Sequence, residues 1–363
     1  MVDAAMARRA WIGLLIDVIA GAAIYAKRAA VAVRIMTNVA GRAMNADSLA
    51  ELPDGLTVVL CGAGSPLPDP KRSGPCVAVV AGTHLFEVDA GSGAGRNMAR
   101  LGFGPGRIEA LFLTHFHSDH IDGLGELTVQ RWAGGAHHDP LPVIGPTGVG
   151  EVVAGFNAAY ALDARYRTAH HGESVAPAGG QGGVAQPFET PRDGVGAVVW
   201  SADGLTVTAL KVFHDPVDPA VGYKFEYGGR SVLISGDTAK SANLEHFARN
   251  IDLLVHEGLS PELVGIMHDA AESVGRANVA KIMSDILSYH TAPIEVAQIA
   301  AAAQVKHLLF YHVIPPLLVP GTEAVFLRGV DTVYHGGVTL GRDGTQITLP
   351  RSSTQIIVSE RGL

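Results

Sequence analysis

Cysteine is almost absent from this chain: Cys61 and Cys76 are the two among 363 residues. Two thiols do not make a disulfide framework, and neither is needed as a metal ligand. They flank the first expected hairpin, where they could approach each other, and they leave the cellular compartment undecided. Cationic charge is also scarce. Lysine and arginine total 27 against 35 acidic residues, giving a formal charge of −8 and a pI of about 6.0. The molecule as a whole therefore carries no field that would draw in a polyanion. No repeat period is visible, and only residues 176–183 are glycine-rich enough to predict lasting disorder.

A long unbroken apolar run is missing too. Residues 11–26 are apolar apart from Asp17, lie between Arg8-Arg9 and Lys27-Arg28, and continue through residues 29–36. The run is shorter than the ~20 residues of a spanning helix and holds a carboxylate. An uncleaved signal anchor, a helix lying on lipid with its basic residues towards headgroups, and a helix packed on the catalytic part or on a second subunit all stay open. Membrane contact through residues 8–36, and a membrane-associated or periplasmic location ahead of a cytoplasmic one, are the expectations. What remains is 47% hydrophobic and 17% charged, with 44 glycines and 20 prolines. That composition suits one loop-rich α/β unit with a large core, not a helical bundle.

The most informative stretch is Thr114-His115-Phe116-His117-Ser118-Asp119-His120, which follows the apolar run of residues 108–113. An apolar run of that length reads as a buried strand. Three imidazoles and a carboxylate therefore stand where a strand ends. Those are ligands for a catalytic divalent ion, usually zinc, with one coordination position left open.

The order His-x-His-x-Asp-His resembles the signature of the metallo-β-lactamase fold hydrolases. Further segments match in sequence order. Residues 83–93 look like the strand ending in Asp-x-Gly, which would make Asp89 a carboxylate that orients the cluster. His214 follows the alternating strand 205–210, Asp237 follows residues 231–234, and residues 305–312 look like a strand ending in His312. Ile251 to Gly258, with His256-Glu257, looks like the His-Glu-Ala-Thr segment of the ribonuclease Z and arylsulfatase branch. Tyr289-His290-Thr291, ahead of a helical run at 294–303, looks like its His-x-Thr element. The opening at Cys61 to Pro66 and the basic loop at Lys71-Arg72 are also similar to that group. The match covers residues 56 to about 315.

The resemblance implies a four-layer αββα sandwich over residues 51–363, preceded by a hydrophobic and basic helical segment at 1–50. It implies two Zn2+ per chain. His115, His117 and His214 would bind one, Asp119, His120 and His312 the other, with Asp237 bridging and a metal-bridging hydroxide as the attacking group. Asp119 has a second possible role as proton acceptor. His290 would supply the leaving group's proton, with Glu257 accepting its other ring hydrogen. His256 is expected behind the ligands. His137-His138 and His170-His171 are expected on solvated loops, and His268 on a helix or loop near the pocket mouth.

Phosphodiester hydrolysis of a small or medium anionic substrate is the leading activity. Aryl sulfate ester hydrolysis follows, then tRNA 3′ processing and lactone or β-lactam opening. The non-enzyme alternative is a membrane-tethered binding protein. Nucleic acid is a possible partner, yet no basic arm is seen. Between residues 121 and 213 the basic side chains are Arg131, Arg165, Arg167, Arg192 and Lys211, against nine acidic ones. Ser73 also stands where the tRNA enzymes are expected to have asparagine. A homodimer is expected from the group.

Overall fold

The computed structural model describes residues 4–45 and 48–362, in two compact units that divide between residues 47 and 48. The first unit is one helix, Ala4–Asn45, of 42 residues, ~63 Å long at 1.5 Å per residue. It carries six basic residues against Asp17 and exposes Trp11, Tyr25 and Met36. Arg28 stacks over the Tyr25 ring at 3.8 Å, a cation–π contact. No helix among the described residues is long and apolar enough to cross a membrane.

Among its described residues the second unit holds fifteen strands. In chain order they are β1 (Gly55–Gly62), β2 (Cys76–Ala81), β3 (His84–Val88), β4 (Ile108–Phe112), β5 (Leu141–Pro146), β6 (Gly183–Phe188), β7 (Ala197–Ala202), β8 (Leu205–Lys211), β9 (Val221–Tyr227), β10 (Arg230–Ile234), β11 (Leu253–Leu259), β12 (His307–Ile314), β13 (Gly337–Leu340), β14 (Thr345–Pro350) and β15 (Ile357–Glu360). One sheet runs β15-β14-β1-β2-β3-β4-β5-β6 and the other β13-β12-β11-β10-β9-β8-β7.

Strand alternation sorts the core into layers. In β1, Leu56, Val58 and Leu60 face the space between the sheets, while Val59 and Cys61 face the helices outside. In β12, Leu309 and Tyr311 point between the sheets and Leu308 and Phe310 point outward. The helices Leu124–Gly135 and Val149–His171 cover the first sheet, and Pro293–Ala302 covers the second. This is the αββα sandwich. Between the sheets, Phe112 sits within 5.4–6.4 Å, ring to ring, of Phe86, Trp200, Tyr223 and Phe225. Aromatic contacts of this kind add ~0.5–1.5 kcal/mol each beyond the area they bury.

Several local expectations change. Cys61 and Cys76 are joined in a buried disulfide between β1 and β2, with Cα atoms 5.0 Å apart. By the chain-entropy account, a loop of this size contributes ~3 kcal/mol. Residues 176–183, expected to be disordered, are tied down. Trp132 Nε1 donates to the Pro177 carbonyl at 2.7 Å, Thr168 Oγ1 donates to that of Ala176 at 2.8 Å, and Ala176 is buried against Trp132. Composition suggested flexibility, but the absence of side chains is what lets Gly180 lie against the His137 carbonyl. His170 and His171 close the helix Val149–His171 instead of standing in a loop.

Glu87 is the odd residue of the core. Alternation places it with Leu85 on the helix-facing side of β3, where it is fully buried and neither carboxyl oxygen has a partner. Burial, aided by the charge of Asp89, pushes its pKa from the ordinary 4.5 to about 8. The folded state then holds a proton that the unfolded chain has lost. The stability it contributes is complete below about pH 4.5 and disappears as pH rises through about 8. We expect Glu87→Gln to match the wild type in urea midpoint at pH 4.5 and to exceed it at pH 8.5; parallel pH profiles would contradict this.

Candidate metal centre

The carboxyl ends of β3, β4, β8, β10 and β12 meet at one edge of the sandwich, and two hydrogen bonds lock that meeting. Val221 N–H donates to the Thr114 carbonyl at 3.0 Å, and Tyr223 Oη donates to that of Leu113 at 2.7 Å. Gly236, with φ +63°, allows the end of β10 to pass against Thr114. A Cβ there would lie 2.8 Å from the Val221 carbonyl oxygen and 3.0 Å from Thr114 Cβ, too close for any other residue.

Asp89 organises the histidine cluster. It takes the left-handed conformation, φ 58°, immediately after β3, an uncommon state for a residue with a Cβ. Its Oδ1 accepts from Thr114 N–H at 2.8 Å, and its Oδ2 accepts from Thr114 Oγ1 at 2.9 Å. Oδ2 also lies 2.8 Å from His120 Nδ1. That contact sets the ring's tautomer and leaves Nε2 directed at the cluster. Gly91 completes the Asp-x-Gly turn, because a Cβ there would meet the Asp119 carbonyl oxygen at 2.4 Å.

Seven residues singled out from sequence converge. Asp237 Oδ2 lies 3.4 Å from Nε2 of both His120 and His312, 3.8 Å from that of His115 and 3.9 Å from that of His214. His117 Nδ1 is 3.4 Å from His214 Nε2, and Asp119 Oδ2 is 3.2 Å from His312 Nε2. Two ligands each 2.0–2.1 Å from a tetrahedral ion stand ~3.3 Å apart, so these are spacings between co-ligands. Three groups have ligand atoms all within 4.8 Å of one another: His115, His117, His214 and Asp237; Asp119, His120 and His312; and Asp237, His290 and His312. The nitrogens His115 Nε2 and His120 Nε2 and the oxygen Asp237 Oδ1 are buried without a hydrogen-bond partner. Burying polar atoms unpaired is expensive, and a cation between them removes that cost. The donor set fits a metal.

Electrostatics at His115 and His214 suit a ligand role, whereas against burial the Asp237, Asp89 and Asp119 charges raise His120 well above its ordinary pKa. Burial holds His115 well below its ordinary pKa and lowers His214 to about 4, so both rings are neutral and free to donate a lone pair near pH 7. Burial works to raise Asp237, but His312 and His120 prevail and keep it ionised.

Behind the ligands, β11 supplies Glu257. Its Oε1 accepts from Thr291 N–H at 3.0 Å and Thr238 N–H at 3.3 Å, and His290 Nδ1 stands 3.1 Å away. Burial, with the Asp237 charge, raises Glu257 well above the carboxylate range. Oε2 has no partner, so a neutral carboxyl carrying its proton there still accepts through Oε1. His256 points elsewhere: its Nδ1 lies 2.8 Å from the Glu257 carbonyl oxygen, and it joins none of the three groups. His268 is on the helix Pro261–Ser273, beside Asp269.

One strand differs from expectation. β12 does not end at His312 but continues to Ile314, with a register shift opposite Glu257 and Gly258 and φ 43° at His312. The bulge re-aims the imidazole out of the alternation, as bulges beside sites do. Sequence reading missed the orienting roles of Thr114 and Thr291, because hydroxyl residues next to a ligand carry no spacing signal of their own. It also treated Lys71-Arg72 as a basic loop, whereas Arg72 is buried, with Nε donating to the Gly341 carbonyl at 2.8 Å and Nη1 to Asp69.

The Asp89 arrangement yields a measurable consequence. Asp89→Ala frees His120 Nδ1 and Thr114, and we expect zinc affinity, measured by competition with a chelating dye, to fall ~10- to 100-fold. An unchanged affinity would show that backbone packing alone orients His120.

The metallo-beta-lactamase superfamily model matches residues 70–283, ending short of His290 and His312. The ribonuclease Z of Mycolicibacterium paratuberculosis is 36% identical over 290 residues, 79% of this chain and 96% of that protein. Among solved structures, the metallo-beta-lactamase fold protein YhfI from Bacillus subtilis superposes with a TM-score of 0.57 at 20% identity, covering 81% of this chain and 99% of its own. The short form of human tRNase Z has a TM-score of 0.53 at 21% identity, with the same coverage of both chains. This chain belongs to the metallo-beta-lactamase superfamily, in its ribonuclease Z-like branch, and is a metal-dependent hydrolase acting on ester bonds.

Proposed function

We propose that the chain is a two-zinc phosphodiesterase that cleaves a small or medium-sized anionic ester. The observation that carries this reading is the convergence of four imidazole nitrogens within 3.4–3.9 Å of Asp237 Oδ2. His115, His117 and His214 would hold one zinc, Asp119, His120 and His312 the other, and Asp237 would touch both. Zinc bound there supplies Lewis acidity towards the ester and acidifies a water.

The chain's own groups handle the protons. Asp119 lines the cavity beside the cluster and accepts a proton from the attacking water. That water's oxygen bonds to phosphorus as the ester P–O bond breaks, giving a phosphomonoester and an alcohol. His290 lines the same cavity; with Nδ1–H held on Glu257, the doubly protonated ring, a form that burial disfavours and the Asp237 and Asp119 charges favour, delivers its Nε2 proton to the departing oxygen. Its position in the third ligand group gives it an alternative role, as a ligand.

Curated relatives named ribonuclease Z support phosphodiester chemistry. The electrostatics support a smaller substrate than a folded RNA. No lysine or arginine among the described residues lines the cavity. Arg131 is spent on the carbonyls of Ile108 and Asp139, and Arg167 pairs with Asp163 at 2.7 Å. Arg192 and Lys211 share a surface groove with Glu189, Asp193 and Asp218. RNA cleavage is the second reading, favoured by the relatives' name. The Cys61–Cys76 disulfide supports an oxidising compartment, and the basic, apolar first helix supports contact with anionic lipid.

Metal analysis beside turnover of bis-p-nitrophenyl phosphate and p-nitrophenyl sulfate tests the proposal. We expect two zincs per chain and phosphodiester turnover; turnover of the sulfate alone would move the activity to sulfate esters. His290→Ala should retain both metals yet lose ~10²-fold or more on alkyl leaving groups, and less on nitrophenyl ones. Equal losses on the two would remove its role as acid. Asp237→Ala should lose metal together with activity, so a loaded but inactive variant would take Asp237 out of the bridge.

A further inference from the structure

Members of the ligand cluster line a cavity of about 380 Å³ whose other lining residues are mostly apolar. Pro66 and Leu67, following β1, close one side. Met283 and Ile286, from the helix Ala277–Asp285 and the turn after it, form another with Ile314 from β12. Met283, Ile286 and Ile314 are buried in an apolar cluster with Leu259 and Val264, so this wall is packed and preformed. Ile282 stands at the rim, 52% exposed.

A second, open groove of about 590 Å³ meets the first at Ser65 to Leu67 and Asp119. It contains Asp69, Asp122 and Arg72, and Arg72 is already committed to Gly341, Asp69 and, at 3.8 Å, Glu323. Among the described residues, neither space offers an uncommitted arginine or lysine to a chain of phosphates. The site thus joins an anion-accepting metal cluster directly to an apolar chamber at the small end of ligand-pocket sizes.

We propose that the chamber binds an apolar arm of the ester, an aryl or branched alkyl group, so that the substrate is a monoanionic diester with one hydrophobic substituent. Ile282, Met283 and Ile286 are its specificity-determining residues. This rests on the hydrolase reading and names the substrate class for that site. Water-exposed hydrocarbon in the free ester is removed from solvent in the chamber, and burial of one phenyl ring there is worth ~10- to 100-fold in affinity. The single negative charge faces the metals, and the second substituent leaves along the open groove.

Equilibrium binding to the zinc-loaded full-length protein, read by calorimetry, separates this from catalysis. Diphenyl phosphate is expected to bind at least ~10-fold more tightly than dimethyl phosphate, and a five-residue oligouridylate more weakly than diphenyl phosphate. Ile282→Gln, at the exposed rim, and Ile286→Thr, on the wall, should each reduce the diphenyl preference with zinc content unchanged. Equal affinities for the two diesters, an undiminished preference in both variants, or tightest binding of the oligonucleotide would overturn the proposal. Zinc-loaded protein that prefers diphenyl phosphate but turns over no phosphodiester would instead overturn the phosphodiesterase reading and leave the chamber assigned.

Discussion

Asp237 is an ionised carboxylate, 2% exposed, with four imidazoles around it; burial lowers the pKa of His115 and His214, while the neighbouring carboxylates raise that of His120. A buried charge with incomplete hydrogen bonding costs several kcal/mol, and nothing in the two sheets requires one at this point. The rest of the architecture makes sense as support for that concentration of polar groups. Five strand ends are brought to one edge, Thr114 and Val221 tie the two sheets together there, and Asp89 fixes His120 of the cluster, together with Thr114, from behind. A divalent cation repays the cost, which couples metal binding to stability of this edge.

The support is built from strained or exceptional positions. Asp89 and His312 both have positive φ, and residues held there persist where surrounding contacts over-determine them. Asp89 is held by the Thr114 amide and His120, and His312 by a register shift opposite β11. Glu257 shows the same economy: one oxygen meets two backbone amides and the His290 ring. The His290 imidazole, which lines the cavity, is therefore positioned by groups that do not.

Function divides along chemical lines. On the proposed reading, the histidine and aspartate cluster would accept a tetrahedral anion whatever its substituents, and the surrounding apolar residues and committed cations would select among esters. Arg72 and Arg131 illustrate why net charge alone cannot describe this selection: both are arginines close to the catalytic domain's loops, and both are buried in structural hydrogen bonds.

The strands and the histidine cluster were legible in the chain as local patterns, and the sandwich and the candidate ligand set followed from the resemblance those patterns carry. Alternating apolar strands reveal their buried faces, and His115 to His120 lie within one turn of a strand end. His214, Asp237 and His312 could be ordered by resemblance. What only the tertiary structure decided involves partners far apart in sequence: the pairing of Cys61 with Cys76 across two strands, the packing of residues 176–183 on Trp132, the bulge at His312, and the inward turn of Arg72. The apolar chamber belongs here too. Pro66, Met283 and Ile314 carry no shared spacing, and each alone reads as ordinary core. They form a site because β12 and the helix Ala277–Asp285 pack beside the cluster, and packing of that kind depends on contacts no linear pattern records.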